Sequence, residues 1–489
     1  MKRAIFVPFD QLHREYGALA DADPKNDLII FVESQRMLKS RTWHIQRLWF
    51  MISAARHFAH ELTAAGFKVT YLKAESSRAG IETFMKSEQI TKVIAAAPNS
   101  YRMSQELSDL IEFIPNDHFL TAREEFAEWA QSQKSLLMEN FYRNQRKKFD
   151  LLMDGDKPAG GAWNFDKENR LPPPKNYTWP KYLDFERDEI DRKVAEELNI
   201  ELKKTWATTR AGALIQLRRF ITEHFAKFGP FEDAMVLDSW SLHHSVISPY
   251  INNGLLHPQE VINAATKAFA SGKIPIESAE GFMRQIIGWR EYINGMYWHL
   301  GEQYRDNNQL NSNRKLLPLF NASEKTEMNC VRSIVADIEE RAWVHHIPRL
   351  MVLSNLALIT GTNPQEFLEW MRERFIDASE WVMVPNVIGM GVHADGGKMM
   401  TKPYAAGGAY ISRMSQYCSG CSYNPKLRVG TNACPFTTLY WDFLDRNREI
   451  FGKNHRMFQQ LNGLKKLKDL DETLARGERV IKGLVAGNI

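Results

Sequence analysis

"GFMRQIIGWREYINGMYWHL", residues 281–300, decides how the larger part of this chain folds. Phe282, Ile286, Trp289, Ile293, Met296 and Leu300 recur at alternating spacings of four and three. That is the period at which α-helical side chains share a face. The stretch reads as a helix with one apolar stripe, flanked by Arg290 and Glu291.

Reading outward, almost everything from about 206 to 489 has the same helical character. "VHHIPRLMVLSNLALITGTNP" (344–364) is a second strongly apolar helix, closed by Gly361 and Pro364. The last 35 residues, rich in Lys, Asp and Glu, read as a solvated helix rather than a binding arm.

Toward the N-terminus the pattern changes. "AIFVPF" (4–9), "LIIFVE" (28–33), "KVTYL" (68–72) and "KVIAAA" (92–97) are short apolar runs, with helical patterns between them, the clearest from Trp43 to Ala65. Buried strands alternating with helices predict a parallel, Rossmann-like α/β domain over 1–130. No G-x-G-x-x-G follows the first strand, so the usual dinucleotide fingerprint is missing. Residues 131–205 hold "MDGDKPAGGAWNFDKENRLPPPKNYTWP", full of Gly, Pro, Asn and Asp but carrying two Trp and Phe165. They read as an ordered interdomain connector.

The 489 residues are 44% hydrophobic and 25% charged, which is ordinary for a globular protein. A net charge of +4 permits nucleic-acid binding without arguing for it. No apolar run of about 18 residues occurs, so no membrane span is expected. "MKRAIFVPFD" reads as a first strand, not a signal peptide. A cytoplasmic protein is expected, in which clustered cysteines bind metal or do redox chemistry rather than pair.

Three of the four cysteines fall in "YCSGCSYNPKLRVGTNACPF" (417–436), as Cys418-x2-Cys421-x12-Cys434-Pro435; the fourth is Cys330. Four thiolates suit tetrahedral zinc or an iron–sulfur cluster. A ligand set gathered from distant segments and ending in Cys-Pro favours a [4Fe–4S] cluster, with zinc and uncoordinated thiols as alternatives.

Several long segments converge on one family. "MENFYRNQRKKFDLLMDGDKPAGGAWNFDKENR" (138–170), "HSVISPYINNGLL" (244–256), "EGFMRQIIGWREYINGMYW" (280–298) and "VHHIPRLMVLSNLAL" (344–358) closely resemble the iron–sulfur bacterial cryptochromes and photolyases. "PNVIGM", "ADGGKMMTKPYAAGGAYISRMSQYC" and "ACPFTTLYWDFLDRNRE" do so too. The resemblance spans nearly the whole chain and implies an α/β antenna domain, a connector (131–205), and a helical FAD-binding domain (206–489). It implies a [4Fe–4S] cluster on Cys330, Cys418, Cys421 and Cys434, and light-driven repair of (6-4) photoproducts in UV-damaged DNA by a monomer.

The resemblance assigns Ser248, Tyr250, Asn252, Gln285, Trp289, Arg290, Asn355 and Asp377 to the flavin side. It places His345, His346, Tyr404 and Met390 at the lesion and Trp370 on an electron route. A histidine near its working pH suits a general acid there, although a histidine pair taken alone is more often structural. A flipped-out lesion is cheap to expose because it is already distorted.

The sequence departs from the family in three places. "LFNASEK" (319–325) replaces a common "FYWTG", so Asn321 and Ala322 stand where a Trp serves electron transfer, and Met371 follows Trp370 where some members have Tyr. Trp343, where Tyr is usual, offers another oxidisable ring. "PFDQL" (8–12) keeps Asp10 and Gln11 but puts Phe9 in place of Gly. Glu33 is kept and Met37 replaces a Glu, which leaves a 6,7-dimethyl-8-ribityllumazine antenna open. "GVHADGG" (391–397) places His393 near the expected cavity. A blue-light receptor without repair, and a flavin-free, metal-stabilised nucleic-acid-binding protein, are the competing expectations.

Overall fold

The computed structural model describes residues 3–489. Five parallel strands form the N-terminal sheet: β1 Arg3–Phe6, β2 Asp27–Ser34, β3 Lys68–Ala74, β4 Val93–Ala96 and β5 Glu112–Ile114. Their order is β3-β2-β1-β4-β5. β2 is buried along its whole length, as expected of a strand covered on both faces by crossover helices. β5 is short and half-exposed, which is why its sequence carries no apolar run.

The sheet docks on the helical body through its loops. The Leu12 amide donates to the Asn253 carbonyl at 2.8 Å. Gly254 makes this possible: its φ is +89°, and a Cβ there would lie 2.6 Å from the Leu12 nitrogen. From helix Ile45–Ala64, the buried Arg47 guanidinium donates to the Phe375 carbonyl at 2.8 Å. The chain around Phe375 and Asp377 is thereby fixed to the first domain.

The helical body begins before residue 206. Helices Arg123–Ser132 and Met138–Lys148 insert Phe126 and Phe141 into one aromatic cluster with Tyr292. Gly295 clears room for the Phe126 ring, whose carbons would lie as close as 2.1 Å to any added Cβ. The remainder of the connector wraps the surface and ends in helix Glu189–Leu198.

The helical stripe of 281–300 exists, but not as one regular helix. Arg284–Arg290 is a π-helical stretch between helices Ile276–Met283 and Glu291–Leu300. Pro348–Ser354 and Pro385–Gly391 are π-helical as well. A π turn admits an extra residue and rotates the following side chains, a feature common at functional sites. All three stretches wall the same cavity.

The C-terminal segment corrects the sequence reading. Helix Leu470–Ala486 is not simply solvated: Thr473, Arg476, Val480 and Leu484 are buried, Val480 and Leu484 in the main core. Among the described residues no helix is long and apolar enough to cross a membrane.

Candidate functional site

A cavity of about 700 Å³ opens in the helical body, the size of a site for a large organic ligand. Asp377 organises one wall. Its carboxylate pairs with Arg349 through two N–H donors at 2.9 and 3.0 Å and accepts from Ser248 Oγ at 2.6 Å. Its carbonyl accepts from Asn252 Nδ2 at 2.8 Å. Ser248 Oγ in turn accepts from the indole of Trp343 at 3.2 Å. Trp343 lines the cavity and touches Trp240, ring centroids 5.5 Å apart.

Trp289, Arg290, Gln285, Met390 and Tyr404 also line the cavity. Arg290 is not a free cation: it is paired with Glu291 at 2.6 Å, donates to the His118 carbonyl and lies over the Phe119 ring. Burial lowers the pKa of Arg290, and Glu291 opposes that shift.

Three histidines meet on the cavity wall. His244 and His345 are buried and stacked, centroids 4.2 Å apart and planes within 23°. His346 stands edge-on to both and is more exposed, its Nε2 3.7 Å from Asp233 Oδ1. His244 Nε2 and His345 Nδ1 have no protein partner, a costly state unless a ligand supplies one. Burial, then the neighbouring imidazoles, hold both far below the usual histidine pKa, so both are neutral. One ring nitrogen from each of the three lies within 4.8 Å of the other two, so the trio presents a cluster of nitrogens to one small volume of the cavity.

Gln285 belongs to a second network. Its Nε2 donates to Glu232 at 2.6 Å, and Asn169 Nδ2 donates to the other Glu232 oxygen at 3.0 Å. Burial pushes the Glu232 carboxyl up, and Arg284 pulls it back.

Other expected residues lie outside the cavity lining. Tyr250 is a core residue whose hydroxyl accepts from the Ala207 amide at 3.0 Å. Asn355 clamps Ala406 from both sides, donating to its carbonyl at 2.8 Å and accepting from its amide at 3.1 Å. That contact holds the segment bearing Tyr404. Trp370 is buried against Phe367 and Phe320, donating to the Phe320 carbonyl, while Met371 reaches the cavity. His393 is buried, with a φ of +48°, near Phe451. In the first domain, Asp10 accepts from Asn99, and Glu33 is held by Arg56 at 3.1 Å and the Tyr71 hydroxyl at 2.9 Å. Phe9 stacks on Tyr71. Glu232, Asp233, His244, Arg349 and Trp381 escaped the sequence reading. Of these, His244 opens the quoted "HSVISPYINNGLL" and Arg349 lies within "VHHIPRLMVLSNLAL"; the other three fall outside every quoted segment.

The four cysteines come together. Cys330 at the start of helix Asn329–Arg341, Cys418 and Cys421 around the turn Tyr417–Gly420, and Cys434 before helix Pro435–Arg446 line one small pocket. Gly408 completes it; a Cβ there would lie 2.8 Å from Cys434 Sγ. Burial, reinforced by the neighbouring thiols, raises Cys330 and pushes Cys418 up to about 11.

An α/β domain docked on a helical body with one deep cavity is the photolyase–cryptochrome architecture. Two solved structures share it: a class III photolyase from Agrobacterium tumefaciens and a Synechocystis cryptochrome. The first has a TM-score of 0.57 at 15% identity, covering 99% of this chain and 96% of that one. The second has a TM-score of 0.56 at 13% identity, covering 80% and 82%. A family model described as deoxyribodipyrimidine photo-lyase-related protein matches residues 5–211. The (6-4) photolyase of Agrobacterium fabrum is 40% identical over 480 residues, with 94% of each chain covered. The chain belongs to the bacterial cryptochrome/photolyase family, whose membership implies a flavin.

Proposed function

We propose that this protein is a DNA photolyase that repairs the (6-4) pyrimidine–pyrimidone photoproduct, with FAD in the large cavity and a [4Fe–4S] cluster on Cys330, Cys418, Cys421 and Cys434. The observation that carries the reading is one cavity with the polar Asp377 wall on one side and His346 beside Asp233 on another.

The residues fit a flavin. Trp289, Trp343 and Trp381 supply flat apolar surface, and Ser248, Asn252 and Arg349 supply polar groups held by Asp377. When bound, the flavin supplies absorption of blue light and one electron to the lesion, returned after bond cleavage. The chain supplies the remainder. His346 is the exposed histidine of the trio, its Nε2 3.7 Å from Asp233 Oδ1, so it is the one placed to pass a proton between solvent and the cavity. His244 and His345 stay neutral and offer N–H and lone-pair contacts to the displaced bases. The cysteine cage fits a cluster: four thiols from two distant segments line one small pocket, with Gly408 against Cys434.

The antenna site fits a lumazine poorly. Glu33 is satisfied by Arg56 and Tyr71, and Phe9 covers Tyr71.

The test is repair of a duplex oligonucleotide carrying one (6-4) photoproduct, under blue light with a reductant, against a dark control. Light-dependent restoration of the two pyrimidines is expected. Flavin bleaching without restoration favours the blue-light receptor, to which the replacement of electron-route positions by Ala322 and Met371 lends some support. A folded protein without flavin would leave only a metal-stabilised binding protein.

A further inference from the structure

The geometry points to Glu232 as the residue that fixes which face of the Gln285 amide looks into the cavity, so that the cavity reads an imide N–H donor; this deepens the repair reading and rests on it for one of its two ligand sources. The oxygen and nitrogen of a glutamine amide are nearly the same size, and only hydrogen-bond partners decide which points where.

Here the partners form an ordered chain. Asn169 Nδ2 donates both to the Glu277 carbonyl at 3.3 Å and to Glu232 at 3.0 Å, so the amide of Asn169 cannot turn over. Glu232 receives that N–H on one oxygen and the Gln285 N–H at 2.6 Å on the other, with Arg284 4.0 Å away. A carboxylate with two N–H donors and a nearby guanidinium is an acceptor on both oxygens. Gln285 must turn its nitrogen to Glu232, and its carbonyl oxygen is left for the cavity, which Gln285 lines. The group opposite must donate. A displaced pyrimidine base and the flavin ring both carry an imide N–H, so the shared chemistry has two sources.

Replacing Glu232 with glutamine changes almost no volume yet reverses the chain. Asn169 still demands an acceptor, so the new amide gives it the oxygen and offers its nitrogen to Gln285. Gln285 then turns over and presents N–H to an N–H. A site built for one hydrogen-bond sense rejects the other strongly. The exchanged pair, Glu232→Gln with Gln285→Glu, restores an acceptor in the cavity. The carboxylate introduced at position 285 takes one N–H from the new amide and faces the ligand with its other oxygen.

The experiment compares full-length wild type, E232Q and E232Q/Q285E, each purified with flavin. Fluorescence anisotropy measures affinity for a duplex with one (6-4) photoproduct and for the undamaged duplex. Flavin content and the flavin absorption bands are recorded alongside, with Tm to certify folding. If the source is the base, E232Q loses about tenfold in lesion preference with undamaged binding unchanged, and the exchange recovers it. If the source is the flavin, E232Q loses flavin or shifts its bands, the exchange recovers them, and lesion preference follows only flavin content. A folded E232Q with wild-type lesion preference, flavin content and bands overturns the inference. So does a loss in E232Q that the exchange leaves unrepaired. A wild type with no lesion preference overturns the repair reading instead, and the flavin arm then decides alone on Glu232.

Discussion

Arg349 and Asp377 lie 28 positions apart in the chain and face each other through two N–H···O contacts of 2.9 and 3.0 Å, closing the polar wall of the cavity. The same carboxylate accepts from Ser248 Oγ, and its backbone carbonyl from Asn252. One aspartate thus gathers three segments that are far apart in sequence.

Asp377→Asn keeps the shape but removes the charge that Arg349 faces, leaving a partly buried guanidinium short of its counterion. Stability is expected to fall by about 2–4 kcal/mol, and flavin content of the purified protein to fall severalfold. Urea denaturation and the ratio of flavin to protein absorbance check this. Unchanged flavin retention would remove Asp377 from the flavin wall.

The seam between the domains should weaken in acid. His118 is buried and pushed down to about 3 by burial, then by His257 and His13. His257 is pushed down to about 4, mainly by burial, with its Nε2 against the Asp117 carbonyl at 2.8 Å and Tyr16 stacked 3.5 Å from it. Both pKa values lie below that of the unfolded chain, about 6.5. Between roughly 6.5 and 4 the unfolded state therefore binds protons that the folded state refuses, and stability falls as pH falls. At about pH 5 each histidine costs about 2 kcal/mol relative to about pH 7.5. Denaturation midpoints at the two pH values measure it, and in His118→Gln the drop should be smaller. An equal drop in that variant would assign the acid sensitivity elsewhere.

How much of this was legible depended on whether the signal was local. The cysteine quartet and the His345–His346 doublet announce themselves by residue type within a few positions. The Asp377 wall does not: Ser248 and Asp377 are 129 positions apart, and only the family resemblance, not their residue type, put them on the flavin side. Glu232 and Asp233 look like an ordinary acidic turn in "PFEDAM", and only folding brings them to Gln285 and His346. The stripe of 281–300 marks a helix, but a π turn leaves no trace in a three-and-four spacing. Arg476 was hidden by its company, since a buried cation among lysines and glutamates reads as solvated.

That arginine carries the third prediction. Arg476 is buried on helix Leu470–Ala486 and donates to the Gly430 carbonyl at 2.7 Å, to the Ala433 carbonyl and to Thr438. It pins the loop that presents Cys434. Arg476→Met keeps the bulk and drops the donors, so metal should be lost faster while the four cysteines remain. Wild type is expected to hold about four iron atoms per chain, as a [4Fe–4S] centre requires, with a broad visible shoulder that decays severalfold faster in the variant under air. Stoichiometric zinc and no iron in anaerobically purified wild type would replace the cluster assignment with a structural zinc.

The last prediction concerns the first domain. Glu33 is only 3% exposed and already satisfied by Arg56 and Tyr71, and Arg56 is shared with Glu197 of the connector through contacts of 2.9 and 2.6 Å. Phe9 lies over Tyr71, with ring centroids 6.2 Å apart. A ligand seeking Glu33 would have to displace an ion pair and an aromatic contact. That is a larger cost than one hydrogen bond returns. The purified protein should therefore release flavin alone on denaturation, with no lumazine fluorescence in the supernatant. The variant Phe9→Gly, incubated with ribityllumazine, should take up at most a small fraction. Stoichiometric lumazine in the wild-type protein would mean that Phe9 and the Glu33 pair move aside, and that this domain does collect light for the cavity.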